Sequence, residues 1–120
     1  MCLRVLAVDD DVEATGRLRG LLEERGFSVA VENDSTKVLA TARKFQPDVV
    51  ILDYLMPKAH GGDVAWQLAS DPVLRNTRLI MCSGVPFEQF TNKLPPMPIT
   101  MMEKPVDAEA LVRAISSEAP

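Results

Sequence analysis

Short apolar runs alternate along the chain with stretches in which apolar residues recur every three or four positions. The runs are typical of buried β-strands, and the spaced positions are typical of helices that pack one face against a core. Strands are predicted over residues 3–8, 27–32, 49–52, 79–82 and 99–102. This alternation predicts an α/β fold, a doubly wound, five-stranded parallel sheet with helices on both faces.

Helix boundaries are predicted from capping residues, prolines and glycines. Ser35 and Asp107 are suited to begin the second and the last helix, because their side chains can accept hydrogen bonds from first-turn amides. Pro47 is predicted to end the second helix, since the residue before a proline is pushed out of helical geometry. Gly16 and Gly20 lie within the first helix, and each weakens it by roughly 1 kcal/mol relative to alanine.

The segment 84–98 departs from this regular pattern. Prolines at positions 86, 95, 96 and 98 leave room for only a short helix, over residues 87–92. Proline lacks the amide hydrogen that a helix interior needs and clashes with the preceding turn. The fourth helix is therefore expected to be short or irregular.

Composition and charge narrow the class of protein. The chain has 120 residues, is 47% hydrophobic and 25% charged, and has a net charge of −4. These values predict a single domain over residues 1–120, and the absence of a basic stripe argues against direct contact with nucleic acid. No apolar run approaches the ~20 residues that cross a membrane, and the N-terminus lacks a signal-peptide pattern. We therefore expect a cytoplasmic protein with two buried free thiols, Cys2 and Cys82.

Polar and charged residues follow four of the predicted strands. They are Asp9, Asp10 and Asp11 after the first strand, Asp53 after the third, Ser83 after the fourth and Lys104 after the fifth. Open α/β sheets place their sites at the carboxyl ends of the strands, so these side chains are expected to share one pocket. Neighbouring carboxylates need compensation, which a hard cation such as Mg²⁺ provides. An aspartate can also form an aspartyl phosphate, and a lysine can reach phosphoryl oxygens.

With Met56, Pro57 and Gly61 behind Asp53, and Pro105 after Lys104, the chain resembles a response-regulator receiver domain of two-component signalling over nearly its whole length. The resemblance implies a flavodoxin-like fold with strand order 2-1-3-4-5. It also implies that Asp53 accepts a phosphoryl group, which would come from the phosphohistidine of a sensor histidine kinase or of a histidine phosphotransfer protein.

The same resemblance implies the roles of individual residues. Mg²⁺ would be held by Asp9 (through water), Asp10, Asp53 and the main-chain carbonyl of Leu55. Ser83 and Lys104 would bind the phosphoryl oxygens. The peptide bond between Lys104 and Pro105 would be cis, which is otherwise the minority state before proline.

Three residues bear on how such a domain would behave. The family usually carries Tyr or Phe three residues before the lysine as a rotating switch, and Met101 occupies that position. Leu55 and Val85 take the positions that flank the path of the hydrolytic water in receivers. Because apolar side chains cannot orient water by hydrogen bonding, we expect a long-lived aspartyl phosphate.

Two other functions share parts of this pattern. A small Mg²⁺-dependent phosphatase of the haloacid-dehalogenase type would use Asp9 and Asp11, but Glu13 stands where such enzymes carry threonine, and the chain has no room for a substrate-covering cap. A pseudo-receiver would bind partners without phosphorylation, although its pocket would normally have lost a motif residue. A signalling module that phosphorylates itself, rather than an enzyme acting on an external metabolite, is the favoured interpretation.

Overall fold

A computed structural model of the protein describes residues 2–56, 60–86 and 94–117. Its five strands form one parallel sheet in the order β2-β1-β3-β4-β5, which confirms both the fold class and the implied strand order. The strands are β1 (Arg4–Val8), β2 (Ser28–Glu32), β3 (Val49–Asp53), β4 (Arg78–Ser83) and β5 (Ile99–Glu103).

Four α-helices connect and cover the strands within the described ranges. They are α1 (Val12–Glu24), α2 (Val38–Phe45), α3 (Gly61–Ser70) and α4 (Ala108–Ser116), and a 3₁₀ turn over Ser35–Lys37 precedes α2. The short helix predicted over residues 87–92 lies outside the described residues. None of the four is long and apolar enough to cross a membrane.

Alternate residues of each strand supply two apolar layers, because successive side chains of a strand point to opposite faces of the sheet. On one face, Leu6, Leu52 and Met81 pack with residues of α2 and α3. On the other face, Val5 and Ile80 pack with residues of α1 and α4. β3 is buried along its whole length, as expected for a central strand covered on both sides.

Two local predictions are wrong. Asp34, rather than Ser35, caps the segment before α2, since the Asp34 carboxylate accepts the N–H of Thr36 at 2.9 Å and Ser35 is already inside the 3₁₀ turn. Cys82 is a buried free thiol as predicted, but Cys2 is exposed, since it precedes β1 and lies outside the sheet.

Candidate functional site

Three carboxylates converge at the carboxyl edge of the sheet, where β1 and β3 lie side by side. Asp9 and Asp10 follow β1, and Asp53 is the last residue of β3. One carboxylate oxygen from each residue lies within 4.8 Å of the other two. Oxygen donors at this spacing are what a hard divalent cation such as Mg²⁺ binds, so the donor set fits that ion.

The third aspartate of the triplet after β1 has a different role. The Asp11 carboxylate accepts the N–H groups of Glu13 at 3.0 Å and Ala14 at 3.3 Å, and so caps α1. The Asp11 N–H in turn donates to Oδ1 of Asp9 at 3.1 Å, which holds the Asp9 side chain in place. An Asp9–Asp11 pair directed at a substrate, as the phosphatase alternative requires, is therefore not favoured by this geometry.

Lys104 supplies positive charge beside the acids. Its Nζ lies 3.0 Å from Oδ1 of Asp53 and 4.0 Å from Oδ2 of Asp9. The Lys104 N–H donates to the carbonyl of Ser83 at 2.9 Å, and the bond to Pro105 is cis, as the resemblance implied. Three carboxylates facing one ammonium leave an excess of negative charge, which a bound cation would balance.

Burial affects how the charged groups of this site titrate. It raises the pKa of the Asp9 carboxyl; the hydrogen bond with Asp10 and the charge of Asp53 add to the rise, while the amide of Asp11 and the charge of Lys104 oppose it. Burial alone would lower the pKa of Lys104, but the hydrogen bond to Asp53 and the attraction of both aspartates outweigh it, so the pKa is raised. Lys104 is therefore charged at neutral pH, whereas the charge on Asp9 is less favourable than in water.

Ser83 ends β4 at the same edge of the sheet and is buried. Its hydroxyl oxygen accepts the N–H of Val85 at 3.0 Å and can donate to the Val85 carbonyl at 3.3 Å. In the pairing of β4 with β5, Ser83 lies beside Glu103, the residue before Lys104. The structure thus places Ser83 at the predicted edge, and its binding of phosphoryl oxygens stays a prediction.

The start of α3 approaches the end of β3 and the next residue so closely that position 61 requires glycine. A Cβ at Gly61 would lie 2.7 Å from the Cα of Tyr54 and 2.9 Å from the Asp53 carbonyl oxygen, so only glycine fits there. The Gly61 N–H donates to the Tyr54 carbonyl at 2.6 Å. Between β3 and α3, the Leu55 side chain is 51% exposed, and metal binding by the Leu55 carbonyl stays a prediction.

A cavity of about 630 Å³ lies between α1 and α4 and borders the site. Asp53, Lys104 and Cys82 line it together with Leu18 of α1 and Leu111 of α4. Burial raises the pKa of the Cys82 thiol to about 11, so the thiol is protonated at neutral pH and is a poor nucleophile. Cys82 therefore contributes to the wall of this cavity rather than to the chemistry of the site.

Asn33 contacts the acid cluster (Asp9, Asp10 and Asp53) and is held in turn by Thr15, and neither residue was predicted from the sequence to belong to the site. Asn33 donates from Nδ2 to the main-chain carbonyl of Asp9 at 2.8 Å and to the hydroxyl of Thr15 at 2.9 Å. The signal that could have revealed Asn33 is its position, since it directly follows β2 at the carboxyl edge, as the predicted site residues follow the other strands. Thr15 lies within α1 and carries no comparable sequence signal.

Comparison with known proteins identifies the family. Residues 5–116 match the sequence model of the response regulator receiver domain. The chain belongs to the response regulator receiver family. It is 37% identical over 90 residues to the DNA-binding response regulator MtrA of Mycobacterium tuberculosis, a match that covers 75% of this chain and 35% of MtrA. The chain thus spans about a third of the length of the curated relatives it matches.

Solved receiver structures share the fold. The chemotaxis protein CheY4 of Vibrio cholerae superimposes with a TM-score of 0.86 at 24% identity, covering 96% of this chain and 97% of CheY4. A response regulator receiver domain protein from Clostridium thermocellum gives a TM-score of 0.84 at 26% identity, covering 94% of this chain and 90% of that chain. With the family match over residues 5–116, this chain contains a receiver domain of two-component systems, and such domains interact with histidine kinases.

This receiver has no aromatic side chain at the position where the family usually carries its switch residue. Met101 lies on β5, is half-buried, and packs with Val85 against the apolar cluster on the α2 and α3 face of the sheet. Methionine is flexible and can repack, but it has no ring that could alternate between exposed and buried positions.

Proposed function

We propose that this receiver domain takes a phosphoryl group on Asp53 from the phosphohistidine of a sensor histidine kinase or of a histidine phosphotransfer protein, with Mg²⁺ as the cofactor. The observation that carries the proposal is the convergence of Asp9, Asp10 and Lys104 on the Asp53 carboxylate. Magnesium and an aspartyl phosphate are standard for the family. If these residues only capped helices or faced solvent, there would be no reason for the charged groups at the ends of β1, β3 and β5 to meet at one point.

In the proposed transfer, an oxygen of the Asp53 carboxylate forms a bond to phosphorus while the phosphorus–nitrogen bond of the donor breaks. The imidazole leaves with the electron pair of that bond. Lys104, already 3.0 Å from Asp53, would pair with a phosphoryl oxygen once the carboxylate becomes an acyl phosphate. Ser83 would offer its hydroxyl to another oxygen.

Asp9, Asp10, Asp53 and the Leu55 carbonyl would hold the Mg²⁺. The ion would neutralise charge on the phosphoryl oxygens, which is the main requirement of such a transfer. The hydrogen bond from the Asp11 N–H keeps the Asp9 carboxylate directed at the site.

Uptake of phosphate from a small donor tests the proposal without knowledge of the natural kinase. The protein is incubated with acetyl phosphate and Mg²⁺, and its intact mass is measured. We expect the mass to increase by one phosphoryl group, and the Asp53→Asn variant to keep its original mass. An unchanged mass of the unaltered protein would favour the pseudo-receiver alternative.

The output of the phosphorylated domain is a separate question. MtrA is named a DNA-binding response regulator, and the chain matches only part of it. We propose that phosphorylation changes the binding of a downstream protein, or of further domains, to this receiver domain. Direct contact of the receiver with nucleic acid is not part of the proposal.

A further inference from the structure

Asn33 connects the end of β2 to the loop that carries the acid cluster. Its Nδ2 bears two hydrogens, and the contacts with the Asp9 carbonyl at 2.8 Å and the Thr15 hydroxyl at 2.9 Å use one each. Because a carbonyl can only accept, the contact with Asp9 fixes which way the Asn33 amide faces. Thr15 is buried in α1, and its hydroxyl can donate to the Val12 carbonyl at 3.1 Å. Asn33 is thereby tied to α1.

The carbonyl that Asn33 binds belongs to the peptide group joining Asp9 to Asp10. A peptide group is planar, so holding this carbonyl limits how far the peptide plane can turn and with it the path of the chain into Asp10. On the other side of Asp9, its N–H donates to the carbonyl of Glu32 at 3.3 Å. Glu32, the last residue of β2, and Asn33, which follows it, therefore contact the backbone on the two sides of Asp9.

We propose that Asn33 is a positioning residue for the metal site, which sets the geometry of Asp9 and Asp10 and so the affinity for Mg²⁺. This inference rests on the proposed function. The backbone between Asp9 and Asp10 sets the directions in which both side chains leave the chain, so a backbone that is free to turn would hold the two carboxylates less well at the spacing that a small cation needs. Outer contacts that orient metal ligands commonly change metal affinity by about 10- to 100-fold.

The test compares the Mg²⁺ affinity of the full chain with the affinities of Asn33→Ala and Asn33→Ser. The side chains in both variants are too short to reach the Asp9 carbonyl. Affinity is measured from displacement of Mn²⁺ followed by electron paramagnetic resonance, without any phosphodonor. We expect the dissociation constant to rise about 10-fold in both variants. When phosphorylation by acetyl phosphate is followed, the Mg²⁺ concentration that gives half the maximal rate should rise by the same factor as the dissociation constant. The phosphorylation rate of both variants at saturating Mg²⁺ should stay within about twofold of that of the unaltered protein.

Thr41→Val is the matched control. The Thr41 hydroxyl donates to the carboxylate of Glu32 at 2.5 Å, so this variant loses a hydrogen bond at the same β2–α2 junction without touching Asp9. We expect it to bind Mg²⁺ like the unaltered protein. An equal loss of affinity in Thr41→Val, or a slow rate that saturating Mg²⁺ does not restore in the Asn33 variants, would overturn the positioning role.

Asp10→Asn separates failure of this inference from failure of the proposed function. If Asp10→Asn weakens Mg²⁺ binding and Asn33→Ala and Asn33→Ser do not, the role of Asn33 is wrong and the metal site stands. If Asp10→Asn leaves the affinity unchanged, Mg²⁺ does not bind at the acid cluster, and the proposed function and the inference both fail.

Discussion

The Asp9 carboxylate is held in an environment in which its negative charge is unfavourable unless a cation lies beside it. Burial is the largest cause of its raised pKa, so the charged carboxylate is less stable in the folded protein than in the unfolded chain. The side chain is nevertheless fixed by the Asp11 N–H. Such an arrangement keeps the proposed Mg²⁺ ligand in place at some expense to the stability of the metal-free protein.

We therefore predict that Asp9→Asn raises the melting temperature of the metal-free protein at neutral pH. A raised pKa means that the folded protein binds the Asp9 proton more tightly than the unfolded chain does, so charged Asp9 destabilises the fold at every pH above its pKa in the folded protein. This destabilisation disappears as the pH falls through that pKa toward 3.8, the pKa in the unfolded chain. The melting temperatures of Asp9→Asn and the unaltered protein should therefore converge. The measurement is thermal unfolding in EDTA across this pH range.

The control variant is Glu24→Gln, which also removes one negative charge but at an exposed position. A melting temperature of Asp9→Asn that is below that of the unaltered protein in EDTA at neutral pH would contradict this prediction. Addition of Mg²⁺ should stabilise the unaltered protein more than Asp9→Asn, because the variant lacks one of the proposed ligands.

Leu55 is predicted to prolong the life of the phosphorylated state. Its exposed side chain follows Asp53 by two residues and offers no hydrogen bond to an attacking water. Leu55→Asn should therefore speed loss of the phosphoryl group by about fivefold, which corresponds to one hydrogen bond of roughly 1 kcal/mol gained in the transition state. Decay of the phosphorylated mass after removal of acetyl phosphate gives the rate.

Val73→Asn is the control for Leu55→Asn, since Val73 is also exposed and apolar but lies before β4, at the opposite edge of the sheet. Its decay rate should equal that of the unaltered protein. Fast decay in the unaltered protein that does not change in Leu55→Asn would show that the side chain at this position does not limit water attack.

At the scale of elements, arginines at the start of two strands bind the carboxyl ends of helices. The Arg78 guanidinium donates to the carbonyls of Ala114 at 3.1 Å and Ser117 at 2.6 Å, and also to that of Ile115. Arg4 likewise donates to the Phe45 carbonyl at 2.9 Å. A positive charge near the last carbonyls of a helix is favourable, because these groups lack partners in the helix and carry partial negative charge.

Arg78→Met should destabilise the protein by roughly 2 kcal/mol, the scale of hydrogen bonds to a charged group. In urea unfolding we expect a lower midpoint with an unchanged slope, since the surface exposed on unfolding stays similar. The matched variant Arg75→Met changes an exposed arginine a few residues earlier and should leave the midpoint nearly unchanged. Equal midpoints for both variants would show that capping of α4 by Arg78 adds no stability.

The sequence predicted elements better than it predicted their ends. Each strand has its own apolar run, so all five were found, and the glycines of α1 did not prevent a helix because Gly16 and Gly20 face solvent while its other face packs on the sheet. The start of α2 was misplaced because a 3₁₀ turn over Ser35–Lys37, capped by Asp34, precedes the helix. Asp34 and Ser35 are both good capping residues, so only the backbone geometry shows which of them caps the turn.

Over the whole molecule, the site follows from topology more than from local sequence. Parallel strands bring their carboxyl ends to one edge, so Asp9, Asp10, Asp53 and Lys104 could be predicted to meet there. The cap formed by Asp11 and the contact of Asn33 with Asp9 could not, since they depend on the directions of individual side chains. The residues that hold the site in place are therefore harder to read from sequence than those that form it.

The most direct measurement is the location of the phosphoryl group after reaction with acetyl phosphate, read by peptide mass spectrometry with Mg²⁺ and, separately, with EDTA. We expect label on Asp53 that requires Mg²⁺ and is absent from Asp53→Asn. Label on Asp9, equal uptake by Asp53→Asn, or uptake that EDTA does not reduce would contradict it.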